Sequence, residues 1–170
     1  MITTTLIMSA MTAMAATSAQ PLVEMPESLK GNPLVEEWNT PYQTPPFSEI
    51  EYAHYEPAID YAIELNRAEI EAIINNPEAP TFENTIVAMA NSGELLGRIS
   101  GVFFVLNNCV TSPEMQQIAL NITPKLTELG NDISLNPALF ERVKVVYDQR
   151  KKLKLDQEDM TLLEDTYKGF

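Results

Sequence analysis

The feature that most constrains the fold is a series of apolar stripes with helical spacing, which begins near Tyr52 and continues to Phe170. The first stripe repeats at i, i+3, i+4 and i+7, and it consists of Ile59, Ala62, Ile63, Asn66, Ile70, Ile73 and Ile74. This spacing predicts the apolar face of a helix from about Tyr52 to Asn75, whose acidic face carries Asp60, Glu64 and Glu71. No segment shows the pattern of a convincing strand. We therefore predict an all-α fold of antiparallel helices joined by short loops.

Capping signals set the boundaries of the remaining helices. The expected starts are Thr81 as an N-cap after Pro80, Ser112 before Pro113, Asn136 before Pro137, and Asp156. The second helix is predicted as a single element from Thr81 to about Leu106. In the third helix, Pro124 is a predicted kink. The last helix ends at Gly169-Phe170, which fits either a C-cap with an apolar contact or an interrupted chain.

Three glycines recur at four-residue spacing inside the predicted second helix, at Gly93, Gly97 and Gly101. Glycine weakens a soluble helix, so we expect the close approach of a neighbouring helix to compensate. The same spacing is typical of transmembrane helix dimers. Glu94 and Arg98 lie inside the run, however, and argue against a membrane span.

A proline-rich arm, residues 20–51, precedes the helices. Proline fixes φ and removes a hydrogen-bond donor, which predicts extended or turn-rich backbone. The arm nevertheless carries large apolar side chains, namely Leu34, Val35, Trp38, Tyr42, Phe47 and Ile50. Leaving them in water would forgo the free energy of burial, so we expect the arm to lie over the helical body.

Residues 1–23 contain no charged side chain, and small residues follow a modestly apolar run there. This is the pattern of a secretory signal peptide, although a basic n-region is missing. The small-x-small rule allows cleavage after Ala15 or Ala19, and we favour Ala19 because a polar, proline-bearing segment follows it. The segment is too polar for a stable membrane span. We predict residues 1–19 as a signal peptide and export to the periplasm of a bacterium.

Composition excludes several kinds of chemistry. The 170 residues include one histidine, His54, and one cysteine, Cys109, which cannot supply a self-contained zinc hydrolase site or an internal disulfide. The formal net charge of −13 opposes binding to nucleic acid or to an anionic membrane surface. The length fits one domain with a real core.

The candidate site residues each have a simpler structural interpretation. His54 lies at the start of the first helix with no nucleophile or metal ligand nominated beside it, so we favour a histidine that bonds to its neighbours. Cys109 follows an apolar run and is predicted to be a buried or half-buried free thiol without a basic activator. Asn121-Ile122-Thr123 matches a glycosylation acceptor inside a predicted helix.

Charge is uneven along the chain. Residues 137–155 hold six bases and two acids, and we interpret them as a solvated helix end, with docking to an acidic partner as the alternative. Carboxylate pairs at Glu36-Glu37, at Glu69 with Glu71, and at Asp156 with Glu158-Asp159 lack the spacing of a calcium loop. We interpret these carboxylates as surface residues.

Several motifs together resemble the N-terminal region of the thimet-oligopeptidase-like zinc metallopeptidases, with the bacterial peptidyl-dipeptidase branch most similar. The resemblance covers about residues 31–170. The Thr81-Phe82-Glu83-Asn84-Thr85 run is the most specific element. The other motifs are Asn32-Pro33-Leu34, Trp38-Asn39-Thr40-Pro41, Pro45-Pro46-Phe47-Ser48-Glu49-Ile50, His54-Tyr55-Glu56-Pro57-Ala58, Asn75-Asn76-Pro77 and Leu163-Glu164-Asp165-Thr166-Tyr167-Lys168-Gly169-Phe170.

The resemblance implies an all-α peptidase that binds one zinc through an H-E-x-x-H helix and removes dipeptides from the C-termini of short peptides. With His54 alone, no H-E-x-x-H motif can be written in this sequence. No catalytic, metal-binding or substrate-binding residue can therefore be carried onto any position. What the resemblance implies for residues 52–170 is a wall or lid over a channel that admits short peptides and excludes folded proteins.

We predict an N-terminal fragment of an exported peptidyl-dipeptidase, interrupted at its C-terminal end and inactive alone. Zinc belongs to the resembled full-length enzyme, and this chain is expected to bind none. Its expected partners are short peptides, through the full-length enzyme, and the missing C-terminal catalytic part. The alternative is a stand-alone secreted helical module that binds a partner without catalysis.

Overall fold

The computed structural model describes residues 22–170, so the predicted signal peptide lies outside the described residues. Within this range there are helices and turns but no strand, which confirms the all-α prediction. Two short 3₁₀ turns, Glu27–Leu29 and Pro41–Gln43, lie in the arm. The helical elements are α1 (Tyr52–Ile74), a π-helix (Phe82–Val87) that leads into α2 (Ala88–Asn91), α3 (Glu94–Val110), α4 (Pro113–Ser134), α5 (Pro137–Gln149) and α6 (Gln157–Lys168).

Side-chain caps start the helices where the sequence predicts them. Such caps satisfy backbone N–H groups that lack an intrahelical acceptor in the first turn. Thr81 accepts the N–H of Asn84, whose side chain in turn accepts the N–H of Thr81, so the two form a capping box. The other caps are Ser112 to the N–H of Met115, Asn136 to the N–H of Leu139, and Asp156 to the N–H groups of Glu158 and Asp159.

Helix α1 is the central element, and α3 and α4 both pack on it. Three polar contacts join α1 to α4 at a constant sequence offset of 65 residues, at Glu56–Asn121, Asp60–Lys125 and Arg67–Asp132. A constant offset requires the two helices to run parallel. Helix α3 runs antiparallel to α1, because its first residues lie near Glu69 and its Phe103 packs on Tyr55.

The core has a main cluster and two smaller ones. The main cluster unites α1, α3 and α4 around Ile59, Ile99 and Ile122, which are fully buried. A second cluster packs the π-helix against α5 and α6, and a third joins the end of α1 to Leu139 of α5. The C-terminal half of α1 therefore connects the two groups of helices.

The second predicted helix is not continuous, and its interruption lies at Ser92-Gly93. Gly93 has φ +73°, in the left-handed region that favours glycine. Its N–H donates to Oε2 of Glu69 at 2.7 Å, and a Cβ at this position would lie 3.1 Å from the Asn66 side chain. The chain thus breaks to let the start of α3 approach α1 closely.

The expectation of close helix approach holds at Gly93 and is wrong at the other two glycines. A Cβ added at Gly97 or Gly101 would meet no heavy atom within 4 Å, and both residues are exposed. The four-residue spacing could not distinguish Gly93 from Gly97 and Gly101, because Gly93 differs from them in its packing against α1.

The arm from Leu22 to Glu51 is turn-rich and packs partly on the helices. Leu34 is fully buried in the main cluster, and Val35 and Ile50 contact that cluster. Arg98 of α3 donates to the carbonyls of Leu34 and Glu36 at 3.1 Å. The arm therefore lies partly over the helical body, as expected, while its Tyr42 and Phe47 side chains are exposed.

Helix α6 ends at Lys168, and the N–H of Gly169 donates to the carbonyls of Asp165 and Thr166. Phe170 contacts Phe140, with a ring centroid distance of 5.7 Å. The C-cap with an apolar contact, one of the two interpretations of Gly169-Phe170, is therefore present in the structure.

Candidate functional site

A groove of about 580 Å³ lies between the start of the arm, α1 and α4. We call it the α1–α4 groove. It is lined by Val23, Glu24, Pro26, Ser28, Leu29, Pro57, Asp60, Tyr61, Ile63, Glu64, Arg67, Lys125 and Glu128. Its floor is apolar and its rim is charged, a combination that is common in ligand-binding clefts.

Two ion pairs cross the groove wall. Lys125 contacts Asp60 at 2.5 Å, and Arg67 contacts Asp132. The hydrogen bond from Arg67 to Asp132 raises the pKa of the Arg67 guanidinium. With both cations paired, the lining carboxylates Glu24, Glu64 and Glu128 leave the groove with a negative excess. The groove is therefore suited to a chain that carries positive charge.

Sequence reasoning predicted an acidic face on α1 and named Asp60 and Glu64 on it. It did not find the groove, because the opposing wall comes from α4 and the third side from the arm. No local sequence signal marks the groove, since the offset of 65 residues between the paired polar residues of α1 and α4 is a result of the packing itself.

His54 has the structural role favoured from the sequence. Its Nδ1 accepts the N–H of Glu51 at 3.0 Å, while the Glu51 side chain accepts the N–H of His54. This reciprocal arrangement is a capping box at the start of α1. One ring nitrogen of His54 is thus committed to the helix end.

Cys109 contradicts its prediction, because the thiol is exposed rather than buried. It lies in the last turn of α3, beside the exposed Val110. The apolar run before it is helical, and the turn of the helix directs Phe103 inward and Cys109 outward. An apolar run on a helix therefore predicts that the residues on one face are buried, but not that every residue of the run or next to it is buried.

The basic segment 137–155 is not uniformly solvated. Arg142 donates to the carbonyls of Asn76 and Glu78 and to the Asn84 side chain, at 3.0, 3.4 and 3.5 Å. Arg150 lies over the Tyr147 ring at 3.8 Å. Lys151, Lys152 and Lys154 are exposed, as the solvated interpretation predicts, whereas Lys144 is half-buried and pairs with Asp148 at 3.1 Å.

Three of the carboxylates singled out in the sequence have structural contacts, while Glu37, Glu71 and Glu158 are exposed as predicted. Glu69 bonds the N–H of Gly93, Glu36 accepts the N–H of Gly31, and Asp156 caps α6. Between Leu22 and Phe170, no group of three or more His, Cys, Asp or Glu side chains could hold a metal ion. The donor set of these residues does not fit the zinc site that the family resemblance implies.

The asparagine of the predicted glycosylation motif has a contact within the protein. The Asn121 side chain donates to a carboxylate oxygen of Glu56 at 2.9 Å.

None of the helices between Leu22 and Phe170 is both long and apolar enough to cross a membrane.

Comparison with known proteins gives strong matches to bacterial peptidases, while no family model matches. Over 139 residues, 82% of the chain, the sequence is 43% identical to dipeptidyl carboxypeptidase of Salmonella typhimurium (strain LT2). It is 42% identical to dipeptidyl carboxypeptidase of Escherichia coli (strain K12) over the same length. The sequence is also 29% identical to oligopeptidase A of Escherichia coli (strain K12) over 117 residues, which make up 69% of this chain and 17% of that protein.

The matched region makes up 20% of each dipeptidyl carboxypeptidase, so the chain spans about a fifth of the length of these curated relatives. Similarity to both kinds of peptidase confirms the resemblance found in the sequence motifs. This chain therefore resembles a segment of the dipeptidyl carboxypeptidases, and its similarity to oligopeptidase A is consistent with the wider group of thimet-oligopeptidase-like peptidases.

Proposed function

We propose that this chain is a non-catalytic helical segment of a larger zinc-dependent peptidyl-dipeptidase, which removes dipeptides from the C-termini of short peptides. The observation that carries the proposal is the 43% identity to a dipeptidyl carboxypeptidase over 139 residues. Identity at this level over most of a helical segment supports a common role in the peptidase, because it requires that core and surface residues are both shared with the relative.

The zinc chemistry belongs, in this proposal, to sequence outside the segment. An H-E-x-x-H site needs two histidines on one helix face, and this chain has only His54. In the relatives, four-fifths of the length lies beyond the matched region and can supply the metal ligands and the glutamate that activates water.

The segment's own contribution would be to shape the access of peptides. We assign this role to the α1–α4 groove, whose apolar floor and negative rim can guide an extended peptide without cleaving it. The ion pairs from Asp60 and Arg67 to α4 hold the two walls at a fixed separation. A channel wall of this kind would exclude folded proteins by size.

We also propose that the chain is exported and cleaved after Ala19. The support is the uncharged stretch of residues 1–23, which ends in small residues. Expression of the full chain in Escherichia coli, followed by N-terminal sequencing of the protein from the periplasm, should give Gln20 as the first residue. Recovery in the cytoplasm with an intact N-terminus would contradict export.

The proposed lack of catalysis is tested with the purified chain, zinc and a blocked tetrapeptide. No C-terminal dipeptide should be released, whereas dipeptidyl carboxypeptidase of Escherichia coli serves as the active control. Zinc-dependent turnover by the chain alone, abolished by a chelator, would overturn the proposal.

A further inference from the structure

The turn around Tyr42 in the arm has an unusual backbone. Tyr42 and Gln43 are consecutive non-glycine residues with φ +61° and +53°. Side chains with a Cβ rarely adopt this left-handed region, and two in succession are rarer still. Strain of this kind persists where the surroundings fix the conformation, and it concentrates at sites of function.

The turn is held rigid by its own residues. Pro41 precedes Tyr42, and Pro45 and Pro46 follow, so three φ angles are fixed. The N–H of Gln43 donates to the carbonyl of Thr40 at 3.0 Å, and the Thr44 hydroxyl donates to that of Pro41 at 3.1 Å. The Thr40 hydroxyl closes the turn by donating to the carbonyl of Thr44.

This rigid turn presents Tyr42 to solvent. The Tyr42 side chain is 99% exposed and Phe47, at the far end of the turn, is 56% exposed. The strain therefore serves no packing of the aromatic ring within the described chain. A preorganised aromatic side chain that loses little entropy on burial is the usual anchor of a protein interface.

The surface beside the turn is acidic. A concavity of about 230 Å³ lies next to Thr40 and Pro46 and is lined by Glu36, Glu37 and Glu49. None of these three carboxylates forms an ion pair with a residue between Leu22 and Phe170. A matching partner surface would offer an apolar pocket for the ring with basic groups around it.

We propose that Tyr42 is the anchor by which this segment docks onto the remaining part of a dipeptidyl-carboxypeptidase-type polypeptide. This inference rests on the proposed function, because the partner is the four-fifths of such a peptidase that the chain does not match. The pocket that receives Tyr42 is apolar and is rimmed by lysine or arginine side chains that face Glu36, Glu37 and Glu49.

The test uses a hybrid in which residues 22–170 replace the homologous segment of Escherichia coli dipeptidyl carboxypeptidase. Tyr42→Ala is compared with Gln43→Ala. Gln43 is the matched control because it is also exposed and has a left-handed backbone but carries no aromatic ring. In the separate chain, Tyr42→Ala should change the Tm by less than about 1 °C, because a fully exposed side chain has no contacts to lose. In the hybrid, Tyr42→Ala should lower the Tm by several degrees, whereas Gln43→Ala should not. Tyr42→Phe keeps the aromatic ring and should therefore keep most of the stability of the unsubstituted hybrid.

Nitration of Tyr42 by tetranitromethane, followed by peptide mapping, gives a readout that needs no cooperative unfolding. Tyr42 should react at least about tenfold more slowly in the hybrid than in the separate chain. Reaction rates within about twofold of each other would overturn the proposal. So would a Tyr42→Ala hybrid with unchanged Tm and a raised KM, since that result assigns Tyr42 to the peptide. A hybrid that protects Tyr42 but releases no dipeptide would contradict the proposed function and leave the docking supported.

Discussion

At the level of single residues, Gly93 and Gly97 can be compared directly, since they lie only four residues apart. Gly93 has a left-handed backbone and lies against Asn66, whereas Gly97 has an open helical position. Gly93→Ala should destabilise the chain by about 1–2 kcal/mol, since alanine is strained at φ +73° and its Cβ would press on Asn66. Gly97→Ala should stabilise it by about 0.5–1 kcal/mol, because alanine is the better residue in an open helix position.

Urea unfolding of the two variants measures both effects. Opposite signs relative to the wild type are the expected result. If both substitutions shift the midpoint in the same direction, the left-handed break at Gly93 is not the conformation that the protein adopts in solution.

Tyr55 makes stability depend on alkaline pH. Burial raises the pKa of the Tyr55 hydroxyl above its ordinary value of 10.0, and the nearby Tyr52 adds to the effect. The neutral form therefore contributes stability below the unfolded-state pKa, and this contribution is lost as the pH rises through the folded-state pKa. Tyr55→Phe should lose less stability than the wild type between about pH 9 and pH 11 in urea unfolding. Parallel pH profiles would show that Tyr55 is accessible to solvent.

At the level of secondary structure elements, Arg142 joins α5 to the π-helix and to the segment before it. Its guanidinium donates to three acceptors contributed by Asn76, Glu78 and Asn84. Arg142→Lys should destabilise the fold by about 1–3 kcal/mol, because one ammonium group cannot satisfy the three acceptors that the planar fork reaches. Lys152→Ala, on the exposed segment after α5, is the control and should leave the urea midpoint unchanged. Equal effects of the two substitutions would contradict this structural role.

The start of each helix was predictable because it depends on local chemistry. Thr81, Ser112, Asn136 and Asp156 all cap a helix through their own side chains. The break at Gly93 was not predictable from local pattern, because its cause is a hydrogen bond to Glu69, 24 residues earlier in the sequence. Local rules therefore describe the ends of elements better than their interruptions by a packed neighbour.

At the level of the whole molecule, the boundary between arm and helices can be tested directly. Trp38, the only tryptophan, lies in the arm with Arg98 of α3 over its ring at 4.7 Å. Its fluorescence therefore reports on arm docking, while far-UV circular dichroism reports on the helices. Because Leu34 is buried in the main cluster, the two signals should have the same midpoint in urea. Loss of the fluorescence signal at lower urea would make the arm an independent unit.

The candidate site was less accessible to sequence reasoning than the fold. Asp60 and Glu64 were recognised as an acidic face, but the groove needs Lys125 and Glu128 of α4 and Leu29 of the arm beside them. These residues come together through the parallel packing of α1 on α4, which no local pattern specifies. Likewise, the exposure of Cys109 and Tyr42 depends on which way a helix or turn directs each side chain.

The hybrid with Escherichia coli dipeptidyl carboxypeptidase shows whether this chain acts as the non-catalytic segment of a larger peptidyl-dipeptidase. The measurement is kcat/KM for zinc-dependent dipeptide release from a blocked tetrapeptide. We expect the kcat/KM of the hybrid to lie within about tenfold of that of the parent enzyme, and no release by residues 22–170 alone. A folded hybrid without activity, or release by the chain alone, would contradict it.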